Sequence, residues 1–282
     1  MKQATIALLS ESMRLKALAN LKGRLSQTMF VVQLEPDDLS VNHDLRLLDG
    51  LFDALETFWE APEIDVRIVC PDDRLKKVQQ RVLPVPRLQV KVQGQSDILA
   101  SAPKGVSPSS AMERSALLNL LMTAQADADT TLALTPRTFP IKPMSAEELV
   151  KLCSEFSAQM DSGAEVRPSS IPVGFFGRSL AIEAVDWLSR MFATSNDDQT
   201  GLSFILHAAK SAEFGFWTRL PPEVPSDLLL EIHSADCIAE GGKGWPEQPW
   251  TIKKCPPFLH VKGAEYTDPE EILPYVYATL HR

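Results

Sequence analysis

The chain has little of what several function classes require. Its four cysteines, Cys70, Cys153, Cys237 and Cys255, contain no Cys-x-x-Cys pair, which argues against a zinc ribbon. Such sparse cysteines suit reduced thiols, although two disulfides remain open by count alone. No pair among His43, His207, His233, His260 and His281 has His-x-x-x-His spacing, so a helical zinc site is not expected. There is no Gly-x-Ser-x-Gly elbow of the kind that α/β hydrolases carry. Basic charge is in deficit: 28 Lys and Arg stand against 37 Asp and Glu, for a net charge of −9, and a nucleic-acid partner is not expected. No run approaches the roughly 18 apolar residues of a membrane span. The apolar run Ala7–Leu9 is broken by Ser10 and Glu11, so no signal peptide is expected. No internal repeat or low-complexity tail is present.

What remains is the composition of an ordinary soluble globular protein, 44% hydrophobic and 23% charged over 282 residues. Residues 1–27 set Ile6, Leu9, Met13, Leu18, Leu21 and Leu25 among Lys2, Arg14, Lys16, Lys22 and Arg24. This predicts an amphipathic helix that packs on the domain or a subunit; the alternative is a helix lying on an anionic membrane surface. Residues 28–282 are then expected to form a single domain.

Strand and helix patterns alternate after that point. Thr28–Leu34 is a β-branched and aromatic run that reads as a buried strand. A helix follows, capped by Asn42 or Asp44, with Leu45, Leu48, Phe52, Leu55 and Trp59 on one face. Ile64–Cys70 is a second strand, Pro71-Asp-Asp-Arg leads a helix to about Val82, and Leu88–Val92 is a third strand. Gly94–Ser110 is rich in Gly, Ser and Pro and predicts a loop, either a cover over a substrate or a plain mobile insertion. Ser115 onward reads as a helix through Leu117, Leu118, Leu120, Leu121 and Ala124. The strand Thr131–Leu134 is ended by Pro136. Ser145 and Glu148 form a capping box for a helix to about Met160. Further helices are expected over Arg178–Phe192 and Gly201–Ala212, late strands at Phe214–Trp217, Leu228–Ile232 and Phe258–Lys262, and a terminal helix from Asp268. This alternation implies βαβ units and a mostly parallel sheet.

In such a sheet the residues just past the strand ends meet on one rim, where ligands bind. Gln33, Glu35, Asp37, Asp38, Asp72, Asp73, Thr135 and Arg137 occupy those positions. The alternative for the Asp residues is ordinary capping and turn filling. Trp245 and Trp250, in a Gly/Pro loop, are equally suited to a core or to stacking on sugar; Phe214 and Phe216 suit a core.

The stretch Thr131-Leu-Ala-Leu-Thr-Pro-Arg-Thr-Phe-Pro-Ile-Lys-Pro143 resembles the central part of bacterial glycosyltransferase-like proteins of the GT-A kind, from a branch linked to surface polysaccharide. In that family the preceding helix carries Gln and Lys, and the strand ends in an Asp-x-Asp turn followed by an aromatic, a basic residue and Pro. Phe139, Lys142 and Pro143 fit this tail. Thr135 and Arg137 stand at the two Asp positions and Asn119 at the helix Lys. His43-Asp-Leu-Arg-Leu-Leu and Val69-Cys-Pro-Asp72 also match the family's first half, and the likeness spans about Met29 to Leu149. The resemblance implies a Rossmann-like GT-A-type nucleotide-sugar fold. It implies a donor site at Gln33, Asp72, Thr135 and Arg137, and an acceptor-side base at Asp197 or Asp198, for which plain helix capping is the alternative. The implied activity is sugar transfer from a nucleotide-sugar to a glycan acceptor in surface or capsular polysaccharide synthesis, in the cytoplasm or peripherally at the inner membrane. In some members a C-terminal His completes a metal site, which places His260 there or as a strand histidine.

A divalent ion on a diphosphate requires hard oxygen ligands. Thr135 supplies one hydroxyl, and Arg137 repels a cation but pairs with phosphate. No metal ligand and no resident cofactor are therefore expected. The other reading is a non-catalytic relative that scaffolds a partner enzyme or associates with itself.

Overall fold

The computed structural model describes residues 28–34, 38–82, 84–108, 111–128, 130–142, 173–178, 181–182, 185–186, 188–190, 229–233, 258–262 and 273. The expected helices over 1–27, 145–160 and 201–212, the strand at Phe214–Trp217, and Asp197, Asp198, Trp245 and Trp250 lie outside these residues.

The chain is α/β, as its alternation predicts. Strand β1 spans Thr28–Gln33 and helix α1 spans Asp38–Phe58. Strand β2 (Ile64–Cys70), a short 3-10 turn (Asp72–Arg74), helix α2 (Leu75–Arg81) and strand β3 (Leu88–Gly94) follow. Helix α3 covers Gln95–Leu99, helix α4 Ala111–Gln125, strand β4 Thr130–Leu134 and strand β5 Thr138–Pro140. Strands β6 (Val173–Gly177), β7 (Leu229–His233) and β8 (Phe258–Lys262) complete the described elements. The central sheet is mostly parallel and has the order β3-β2-β1-β4-β6. The three strands read most clearly from sequence, β2, β1 and β4, are adjacent in it. A second sheet has the order β5-β8-β7, with β5 antiparallel and β7 parallel to β8.

The strands form because their residues have nowhere else to go. Met29, Phe30, Val31 and Val32 on β1, and Val66, Ile68 and Val69 on β2, are at most 2% exposed. The β1 run is apolar on both faces, as a parallel sheet covered by helices demands, while β2 interleaves Asp65 and Arg67 with its buried residues before Ile68–Cys70. Burying each large apolar side chain contributes about 1.5–3 kcal/mol.

Two compact units divide the chain. The first takes in Met1–Val31, Gln93–Ala133 and Ala146–Pro221; the second takes in Val32–Val92, Leu134–Ser145 and Pro222–Arg282. In the first, α4 buries Leu117, Leu118, Leu120, Leu121 and Met122 together with Asn119 and Thr123. A helix closed in all round is an interior helix. Thr123 Oγ1 donates to the Asn119 carbonyl at 2.8 Å, so its hydroxyl is satisfied within the helix.

The first part of the segment after β3 departs from expectation, while 100–108 is irregular as expected. It was expected as a loop that covers a substrate or stays mobile, yet Gln95–Leu99 is helical and packs against α4. Ile98 is 2% exposed, Ser101 Oγ donates to the Ile98 carbonyl at 2.6 Å, and Gln125 Nε2 bonds Ser101 Oγ. One buried Ile and a set of hydrogen bonds anchor what composition alone marks as a loop.

In the second unit, α1 begins at Asp38, earlier than the Asn42 or Asp44 cap expected. Its buried face is wide: Leu45, Leu47, Leu48, Leu51, Phe52, Ala54 and Leu55 are all at most 4% exposed. It packs on β5. Gly50 leaves little room beside it: a Cβ there would lie 2.8 Å from Leu273 Cδ2 and 3.4 Å from Phe139 Cε1 of β5. Strand β5 lies beyond the Pro136 at which the preceding strand was expected to end, where no further strand was expected. It pairs with β8 through Thr138 opposite His260, Phe139 opposite Leu259 and Pro140 opposite Phe258.

Cys70 closes β2 as a fully buried thiol that is in no disulfide. Burial pushes it up to about 11 from the ordinary 9.0, and the nearby charges of Asp72 and Asp73 add to the shift. The folded thiol is thus harder to ionise than the unfolded one. Its contribution to stability is complete below the ordinary thiol range and is lost as pH rises through about 11. Denaturant melts from pH 8 to 11 are expected to show a fall of roughly 2 kcal/mol that Cys70→Ala lacks. Equal pH slopes in the two proteins would overturn this assignment.

Candidate functional site

In the central sheet the chain builds outward from β1 through β2 to β3, then returns to the other side of β1 with β4. Strand order reverses between β1 and β4. In open α/β sheets the crevice outside the carboxyl ends of the strands at such a reversal is where ligands bind. Gln33 ends β1 there, half-buried, and Thr135 follows β4 directly, also half-buried. Both belong to the second unit, as do the groups described next.

Thr135-Pro136-Arg137-Thr138 is a tight turn. Thr138 N donates to the Thr135 carbonyl at 3.1 Å, and Pro136 sits at the second position, where its fixed φ suits a β-turn. The Arg137 carbonyl accepts from Val261 N at 3.0 Å, which ties the turn to β8. Thr135 Oγ1 lies 2.8 Å from Thr138 Oγ1, and Thr138 Oγ1 lies 3.0 Å from His260 Nδ1. Thr138 is fully buried and His260 is 9% exposed. The last contact follows from register, because directly opposed residues of an antiparallel pair bring their side chains together on one face.

Arg137 faces the other way in chemical terms. Its Nη2 lies 3.5 Å from Oδ1 of Asp44, whose side chain is fully buried in α1, while 16% of the Arg137 side chain is exposed. The pair places a guanidinium at the turn with its charge matched from beneath. A partly exposed guanidinium fork can still accept a phosphate from outside.

Asp72 and Asp73 sit in the 3-10 turn after β2 and are exposed. Asp73 pairs with its neighbour Arg74 at 3.1 Å. Gln33, Thr135 and Arg137 fall at the ends of the two strands flanking the reversal. Asp72 falls one strand further out. Asn119 is buried in α4, in the first unit. Among the described residues, no group of three or more His, Cys, Asp and Glu side chains could hold a metal ion. The donor set at the turn itself, a hydroxyl and a guanidinium, does not fit a divalent cation. Among the described residues, no helix is long and apolar enough to cross a membrane.

Sequence reasoning missed two members of this site. Asp44 was read as a helix cap, and Thr138 was not singled out. His260 was read as either a metal ligand or a strand histidine, and it is a buried strand histidine bonded to the turn. Only the pairing of β5 with β8, 122 residues apart at the Thr138–His260 contact, brings the last two together.

No family model matches the chain, and no curated protein sequence matches it. Solved structures do. The galactosyltransferase LgtC in complex with donor and acceptor sugar analogs is 9% identical, with 89% of this chain and 96% of that chain covered at a TM-score of 0.38. Mouse xyloside xylosyltransferase 1, in its apo form, is 9% identical, with 84% and 98% covered at a TM-score of 0.42. Glucosyl-3-phosphoglycerate synthase from Mycobacterium tuberculosis, in complex with Mn²⁺, uridine diphosphate and phosphoglyceric acid, is 14% identical, with 76% and 84% covered at a TM-score of 0.34.

Proposed function

We propose that this chain is a glycosyltransferase-like protein that binds a nucleotide-sugar at the rim formed by Gln33, Asp72, Thr135 and Arg137, without a divalent metal. The observation that carries the reading is the placement of the Thr135–Thr138 turn at the strand-order reversal, with Arg137 16% exposed and no Asp or Glu among the four turn residues. Arg137 takes the part of the cation by meeting phosphate oxygens with charge-assisted hydrogen bonds. Asp197 or Asp198 serves as the acceptor-side base, accepting the proton of the attacking hydroxyl. The acceptor is a glycan of surface or capsular polysaccharide. The protein works in the cytoplasm, with residues 1–27 holding it to the inner membrane, to another copy or to a partner enzyme.

Calorimetry with a nucleoside diphosphate panel, in manganese and in chelator, tests this. One member of the panel is expected to bind equally well in both. Arg137→Gln, checked for folding by circular dichroism, is expected to weaken it about tenfold, the lower end for charge-assisted bonds because Asp44 already neutralises part of the charge. Strict manganese dependence, or unchanged affinity in the variant, would overturn the reading.

A second reading is a non-catalytic relative that scaffolds a partner enzyme. The observation favouring it is the same ion pair: Asp44 beneath Arg137 gives the guanidinium a structural partner. Absence of binding to every nucleotide in the panel selects this reading.

A further inference from the structure

Three side chains form a hydrogen-bonded line from the interior to the rim: His260 Nδ1, Thr138 Oγ1 and Thr135 Oγ1, with separations of 3.0 and 2.8 Å. Its middle member is fully buried and its outer member half-buried. Each hydroxyl has one hydrogen, so Thr138 donates to one neighbour only. The line therefore has two polarities.

When His260 Nδ1 carries no hydrogen, Thr138 donates inward to it, and Thr135 in turn donates to Thr138. The hydrogen of Thr135 is then spent on the interior, and toward the rim its oxygen presents lone pairs alone. When His260 Nδ1 carries a hydrogen, that N–H donates to Thr138 and Thr138 donates to Thr135. The Thr135 hydrogen is then released to point outward. Phosphate oxygens at neutral pH chiefly accept hydrogen bonds, so they match the second polarity and are opposed by the first.

We infer that His260 is a positioning residue whose Nδ1 hydrogen, relayed through Thr138, decides whether Thr135 offers the rim a donor or an acceptor, and that a diphosphate at the rim selects the Nδ1–H form. This rests on the proposed donor site at Thr135 and Arg137. It gives His260 a role that needs no metal, consistent with a turn whose other groups do not suit one. Among the described residues, charged positions adjacent to His260 in sequence or register include Arg137, next to Thr138 in the turn, Glu231, its register partner on β7, and Lys262, two residues along β8. None of them has to change charge for the relay to reverse, since a shift of tautomer is enough.

The experiment is long-range ¹H–¹⁵N correlation of the histidine rings at one fixed pH, on the full chain, free and with inorganic pyrophosphate or uridine diphosphate as probes. In the wild type, either probe is expected to move His260 toward the Nδ1–H pattern. Thr138→Val, which keeps the shape and removes the hydroxyl, is expected to abolish that movement and to weaken the probe about tenfold. Thr138→Ser is expected to keep both properties, which guards against a packing effect of the valine. Binding with an unchanged His260 pattern overturns the relay and leaves the donor site standing. Absence of binding by either probe overturns both. Identical His260 shifts in free wild type and free Thr138→Val overturn the relay without reference to any ligand. Response to pyrophosphate and uridine diphosphate alike assigns the effect to the phosphates; response to uridine diphosphate alone assigns it to a pose that the nucleoside sets.

Discussion

Replacing Arg137 with alanine is expected to lower the unfolding free energy by about 3–5 kcal/mol, the cost of leaving one member of a buried ion pair without the other. The exposures set this expectation. Asp44 is fully buried and Arg137 is 16% exposed, so their attraction is little screened and the carboxylate cannot turn to water. At 3.5 Å the contact is an ion pair rather than a short hydrogen bond. Asp44→Asn keeps the shape of α1 and leaves the guanidinium a route to solvent, so its cost is expected to be smaller than that of Arg137→Ala. The double variant Asp44→Asn/Arg137→Gln is expected to recover most of the loss, because two neutral amides remove the stranded charge. Urea melts of the wild type, Asp44→Asn, Arg137→Gln and the double variant form a double-mutant cycle, and its coupling energy is the quantity to read. A cost below about 1 kcal/mol for Arg137→Ala would place the pair among exposed bridges of little weight. The guanidinium would then belong to the ligand alone. A large coupling energy together with unchanged nucleotide affinity would instead make Arg137 structural.

The fold was legible where burial is uniform. Most of Met29–Leu34 and Thr131–Leu134 is apolar on both faces, while Ile64–Cys70 alternates through Asp65 and Arg67 before closing on Ile68–Cys70; only a covered strand or an interior helix suits the first pattern, a strand suits the second, and their brevity decides for strands. The start of α1 was not legible, because Asp37, Asp38, Ser40, Asn42 and Asp44 are all competent helix caps and local sequence does not rank them. Strand β5 was hidden for a different reason. It has three residues, one of them proline, and exists because β8 pairs with it from far along the chain. Helix α3 is five residues long, too short for any periodic signal. The candidate site divides the same way. Gln33, Asp72, Thr135 and Arg137 are visible from sequence because a strand end predicts its own rim. Asp44 beneath Arg137, and His260 behind Thr138, depend on tertiary neighbours that no local pattern encodes. Asp197 and Asp198 rest on the resemblance and on the helix that the sequence leads one to expect after them.

Arg87→Ala is expected to lose about 3–4 kcal/mol, the second large effect, and to do so without touching the rim. The Arg87 guanidinium is part-buried and meets three carbonyl oxygens at the C-terminal end of α1: Glu56, Trp59 at 2.8 Å, and Ala61. Helix ends leave backbone carbonyls without intrahelical partners, and the macrodipole makes that end negative. One fixed cation with several N–H groups answers both needs. Hydrogen bonds to a charged group contribute about 1.5–3 kcal/mol each, but three from a single side chain do not add fully. The backbone ties Arg87 in from its own side as well, since its carbonyl accepts from Ile64 N at 2.9 Å. The α1 end, β2 and the start of β3 are thereby joined at one residue. Arg87→Lys is expected to recover less than half of the loss, because an ammonium lacks the planar fork that reaches three separated carbonyls. Salt sharpens the test. A charge held against part-buried carbonyls is poorly screened, so the stability difference between wild type and Arg87→Ala should change little from 0.05 to 1 M sodium chloride. A lysine variant as stable as the wild type, or a difference that vanishes in salt, would show that the fork of Arg87 does not carry the effect.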